Sequence, residues 1–104
     1  MKNKLQSQDI QKISQNLTYQ AIHEYLSVRE LAKRIQKSVK EETEFEIDLD
    51  SLSEELRFYG YYGIQPSMEL DEDNKNKVKR DIARTIANFF DVNMFGEIGK
   101  YSEE

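Results

Sequence analysis

The chain has 104 residues, of which 15 are Lys or Arg and 20 are Asp or Glu, giving a net charge of −5. A domain of this size buries roughly 60–70% of its unfolded surface without disulfides or a structural metal, and the absence of cysteine excludes disulfides, thiolate zinc sites and cysteine nucleophiles. The N-terminus carries no apolar run of the kind a signal peptide needs, and the uncharged stretches 13–23 and 58–68 fall short of the ~18 apolar residues of a membrane span, so a cytoplasmic protein without membrane insertion is expected.

All four glycines and the single proline (Gly60, Gly63, Pro66, Gly96, Gly99) lie beyond residue 59. A strand-rich domain needs turn residues every 8–12 positions, whereas long helices need none, so the chain reads as one mostly helical domain over residues 1–104. Ile10, Ile13 and Leu17 follow a helical spacing, and Tyr19, Ile22 and Leu26 form another apolar row, with Thr18 a candidate cap between them. Residues 8–26 are therefore one helix or two. The next helix, over 27–42, is better marked: Val28, Leu31, Ala32, Ile35 and Val39 fall on one stripe. Ser27 and Glu30 make a capping-box pair there, and Leu26 and Leu31 occupy the positions of a hydrophobic staple.

Residues 44–50 alternate, with Phe45, Ile47 and Leu49 on one side and carboxylates on the other. That is the period of a half-buried strand, but a strand needs a partner, and the nearby segment 61–70 contains Gly63 and Pro66. Two readings stay open, an extended lead-in to the next helix or a short hairpin involving residues 44–49. Ser51 and Glu54 then repeat the capping-box signature, Leu52, Leu56 and Tyr59 make an apolar row, and Gly60 stands where a left-handed cap would end the helix. A final long helix over 73–91 opens on Asp71, Glu72 and Asp73 at its positive end. It buries Val78, Ile82, Ile86, Phe89 and Phe90 and lines up Lys77, Arg80 and Arg84 opposite. Its apolar face is expected to pack on the 27–42 stripe. The tail from Met94 to Tyr101 is apolar enough to pack back on the domain or on a partner.

Charge is unevenly distributed, at +3 over residues 1–43, −9 over 44–73 and +1 over 74–104. An acidic centre between basic arms can neutralise itself when helices pack or present a surface to a basic partner. Little of this supports catalysis. The lone histidine, His23, sits in an apolar row, no glycine-rich phosphate loop exists, and acid–base chemistry from carboxylates alone needs a concave desolvated site. Calcium-loop templates started at Asp48 or Asp71 fail at the glycine and bidentate-glutamate positions, so no metal or cofactor is expected. Residues 26–35 resemble the first helix of a helix-turn-helix, with Arg29, Lys33, Arg34, Lys37 and Lys40 as basic groups. Residues 36–42 continue the same helix where a turn is required, and the domain is acidic, against nucleic acid as a partner.

The cluster Phe58-Tyr59-Gly60-Tyr61-Tyr62-Gly63 places four aromatics beside glycines, where they are either presented to a partner or used in the fold. In the second case Phe58 and Tyr59 close the core while Tyr61 and Tyr62 cover its end. The stretch Phe45–Tyr101 resembles the later part of class IIa bacteriocin immunity proteins of the enterocin A type: a short helix running into aromatics (Leu52 to Tyr62), an acidic-capped helix (Glu69 to Phe90) and a glycine- and aromatic-containing tail (Val92 to Tyr101). The acidic pI of about 5.0 and the alternating acidic segment depart from that family's pattern. The resemblance implies an antiparallel four-helix bundle that protects a membrane receptor complex from a bacteriocin, with the last helix and tail governing specificity.

The expectation is thus an all-α bundle of four or five helices, with the α+β hairpin as its variant. The expected function is that of a non-enzymatic protein of immunity or inhibitor type that binds another protein through Tyr61, Tyr62, Phe95, Ile98 and Tyr101. The alternative is a small nucleic-acid-associated regulator from a phage or other mobile element.

Overall fold

A computed structural model describes residues 5–67 and 70–90 and shows an all-α helical bundle: α1 (Ser7–Glu24), α2 (Val28–Thr43), α3 (Leu49–Phe58) and α4 (Glu72–Phe90). Residues 8–24 are one helix. Thr18 caps nothing, because its hydroxyl donates to the carbonyl of Ser14 at 2.7 Å within the helix, as Ser14 does to Ile10. The helix start is held instead by Asp9, whose carboxylate accepts from the Gln6 N–H at 3.0 Å.

The cap of α2 is where the sequence places it, with Ser27 Oγ accepting from the Glu30 N–H at 3.2 Å. All five residues of the stripe are buried, together with Leu26. The connection to α3 forms no strand among the described residues. Gln36 Nε2 donates to the Ile47 carbonyl at 2.8 Å, and Thr43 Oγ1 accepts from the Phe45 N–H at 3.0 Å, so side chains meet backbone needs that a hairpin would otherwise meet. Ile47 turns inward, Leu49 is partly buried, and Phe45 stays half exposed with its ring edge-on to Phe90 at 5.7 Å. Helix α3 then starts three residues before the expected point, because the cap is Asp48, which accepts from the Ser51 N–H at 3.0 Å, and not Ser51 itself. Helix α4 is capped by Asp71, which accepts from the Asn74 N–H at 3.0 Å, ahead of Glu72 and Asp73 in its first turn.

Helix α4 lies mainly along α1 and α2 along α3, while smaller contacts between α1 and α2 and between α3 and α4 close the ring. The α2 and α4 faces expected to pack directly on each other therefore stand diagonally across one shared core of Leu17, Leu31, Ile35, Leu52, Leu56, Ile82 and Ile86. Residues 44–48 fold α3 back onto α2, and α1 is the principal neighbour of α4. Polar pairs stitch the same seams, with Arg34 to Gln20 and Glu24 across α1 and α2, Arg29 to Asp50 across α2 and α3, and Asn88 to Glu55 across α3 and α4.

One charge is internal. Asp81 is 1% exposed, and burial pushes its carboxyl up from the ordinary range against the pull of Lys77, whose Nζ stands 2.7 Å away. The same ammonium donates to the Gly60 carbonyl at 3.2 Å, so α4 grips the turn that follows α3.

Candidate functional site

That turn organises the most unusual surface of the molecule. Gly60, at φ +106°, is the left-handed residue of a double hydrogen-bonded helix end. The Gly60 N–H donates to the Arg57 carbonyl at 3.0 Å and the Tyr61 N–H to Leu56 at 2.8 Å, satisfying carbonyls that the end of α3 leaves open. The chain then runs back against the corner between α1 and α2. Tyr61 is 2% exposed, and its hydroxyl donates to the Leu26 carbonyl at 2.6 Å. The Ile64 N–H reaches the same oxygen at 3.3 Å. Gly63 passes this corner at φ +107°, a backbone conformation that side chains rarely adopt, with room for a Cβ in ordinary contact at 3.7 Å from Leu26 O.

Docking one tyrosine turns its neighbours outward. Tyr62 is 72% exposed and Phe58 is 78% exposed, whereas Tyr59 is partly covered, its ring edge-on to Phe58 at 5.2 Å and under the Arg84 guanidinium at 5.9 Å. Desolvation raises the Tyr59 phenol, and the nearby Glu55 carboxylate adds to the rise. The assignment expected for a purely structural cluster is therefore half inverted: Phe58 lies outside and Tyr61 inside. Of the five residues expected to form a partner surface, Tyr62 is at the surface and Tyr61 is a core residue, because its hydroxyl finds a backbone carbonyl that would otherwise lack its closest donor. Phe95, Ile98 and Tyr101 lie outside the described residues. Phe58 was missed, although the sequence contains the signal. It stands about 200° around the helix from the buried Leu56, off the apolar row.

Phe58 also terminates a strip of exposed residues at four-residue spacing, Asp50, Glu54 and Phe58, so the outer face of α3 is acidic and ends in two aromatics. The carboxylate at the far end is engaged by Arg29 at 2.8 Å. Exposed aromatics on a charged helix face are what a protein-binding surface requires: apolar anchors that can be fully desolvated, within a rim that selects the partner's charge.

Of the basic residues of α2, Lys33 is exposed and three others are drawn into ion pairs. Arg29, Arg34 and Lys40 pair with Asp50, Glu24 and Glu46, and α3, which follows where a recognition helix would stand, is acidic on its outer face. Hydrogen bonding to Arg34 holds the Glu24 carboxyl below its usual range. The Asp81 carboxylate is buried, and His23 is an exposed ring stacked obliquely on Tyr19 at 4.1 Å. Among the described residues no group of three or more His, Asp or Glu side chains comes together, and no helix is long and apolar enough to cross a membrane. Comparison with protein-family models, with curated proteins and with solved structures finds no match to this chain.

Proposed function

We propose that this is a non-enzymatic, cytoplasmic protein-binding adaptor of immunity or inhibitor type, whose partner docks on the outer face of α3 and the turn beyond it. The observation that carries the reading is the pair Phe58 and Tyr62, both more than 70% exposed while the residues between them are tied into the fold. Large aromatics held outward on a rigid turn lose little conformational entropy on binding. Glu54, the exposed carboxylate one turn before Phe58, favours a partner that brings Lys or Arg beside an apolar pocket. Bacteriocin immunity is the specific form suggested by the resemblance over residues 45–101.

The test is affinity capture from the native cytoplasm, followed by mass spectrometry, with the wild type and a Phe58→Ser/Tyr62→Ser double variant compared side by side. The reading expects at least one protein retained by the wild type and lost by the variant, while both melt at the same temperature. Identical capture by the two proteins would remove the surface from consideration. Steeply salt-dependent retention of nucleic acid by both would favour the regulator instead.

A further inference from the structure

The opposite flank of the bundle has a different chemistry. Between α1 and α4 runs a cleft of about 320 Å³, which shares no residue with the α3 surface. Helix α1 contributes Tyr19, Ile22 and His23, and α4 contributes Lys75, Asn76 and Lys79. Gln15 and Thr18 complete the α1 side at the same helical spacing, so both walls are rigid elements and not loops. Among the described residues no carboxylate lines the cleft, in a protein with 20 carboxylates to 15 Lys and Arg.

Three features of this cleft point to one kind of ligand. Tyr19 is 63% exposed at the edge of an apolar floor formed by Ile22, and the His23 ring meets it at 4.1 Å with a tilt of 42°, so the flat surface on offer is the Tyr19 ring alone. The amides of Gln15 and Asn76 offer both donors and acceptors, suited to the edge of a heterocycle. Lys75 and Lys79 stand one helical turn apart on the facing wall as point charges of the kind that hold phosphate. The volume matches the lower end of small-ligand sites, roughly 300 Å³.

We propose that the α1–α4 cleft binds a small planar anion, an aromatic heterocycle carrying a phosphate, of the size of a nucleoside monophosphate. The ring stacks on Tyr19 next to His23, and the phosphate lies between Lys75 and Lys79. Adenosine 5′-monophosphate is the probe, and the readout is built in: His23 is the chain's single histidine, so one imidazole resonance reports the site by NMR. Titration should move that resonance saturably with a midpoint on the order of 1 mM or below. Adenosine and inorganic phosphate should each bind about 10-fold more weakly, because each supplies half of the interactions. Lys75→Gln/Lys79→Gln should weaken adenosine monophosphate by about 10-fold or more at an unchanged melting temperature, and Phe58→Ser/Tyr62→Ser should leave it untouched, which separates this site from the adaptor surface. Should the double lysine variant fail to fold, Lys75→Gln alone and Tyr19→Ala carry the test. No saturable shift by about 10 mM, equal affinity for inorganic phosphate, or unchanged affinity in the folded cleft variants would each overturn the proposal.

Discussion

Three helices end on a residue at positive φ, and they do so with different residues. Helices α1 and α2 close on Tyr25 at φ 52° and Glu44 at φ 66°, whereas the end of α3 uses Gly60 at φ 106°. A left-handed residue with a side chain costs roughly 1–2 kcal/mol, so the first two ends are held by the structure around them. The Tyr25 N–H and Leu26 N–H both reach the Ala21 carbonyl, and the Glu44 N–H reaches Lys40 at 2.7 Å. At Gly60 a side chain would be strained by the backbone itself at φ 106°, and an added Cβ 2.9 Å from Lys77 Nζ would also push that lysine aside. The lesson is that a stretch without glycine is not a stretch without helix ends. It also shows that glycine appears among the described residues where φ exceeds 100°, beyond the left-handed values that Tyr25 and Glu44 adopt.

The largest test of this contrast lies just beyond Gly60. Tyr61→Ala is expected to cost about 3–5 kcal/mol, measured by urea denaturation, because it empties the core and leaves the Leu26 carbonyl with the weaker Ile64 contact alone. A loss under about 1 kcal/mol would mean that the turn holds without its anchor. Gly60→Ala is expected to cost about 1–3 kcal/mol from backbone strain and displacement of Lys77. A Gly60→Ala/Lys77→Met variant should then reveal how much of that comes from the crowding, by comparison with Lys77→Met alone.

Alkali sharpens the comparison through the same residue. Burial raises the folded-state pKa of the Tyr61 phenol, and desolvation with Glu55 does the same to Tyr59. A group whose folded pKa is raised contributes stability that is full below its unfolded value, about 10 for tyrosine, and lost as pH rises through the folded value. Denaturation midpoints should therefore fall from about pH 9 upward, and Tyr61→Phe should flatten that fall while costing about 1 kcal/mol at neutral pH. The opposite sign is expected at the helix ends without glycine. Glu44→Gly should stabilise by about 0.5–1 kcal/mol, the left-handed cost removed less the entropy that glycine adds to the unfolded chain. Thermal melting would register it as a rise, and a fall would show that Glu44 is held by more than its backbone. Smallest of all, Phe58→Ala and Tyr62→Ala should each change stability by less than about 0.5 kcal/mol, since neither seals the core.

The helices were legible because their signals are local. The stripe from Val28 to Val39, the Ser27 cap and the apolar row of α4 depend only on neighbours three or four residues away, and these set the all-α class. The alternation at residues 44–49 and the aromatic run at 58–62 were not decidable in the same way. Whether Ile47 joins a strand depends on Gln36, eleven residues back, and whether Tyr61 or Phe58 is buried depends on the Leu26 carbonyl, thirty-five residues from Tyr61. The pairing of α4 with α1 and of α2 with α3, like the gathering of Lys75, Lys79, Tyr19 and His23 around one cleft, has no sequence signature at all. Periodicity states which face of a helix seeks burial, but it carries no information on which neighbour will cover it. That choice is made where the faces meet, by how side chains fill one shared core and by buried polar atoms such as the Leu26 carbonyl, which receives Tyr61.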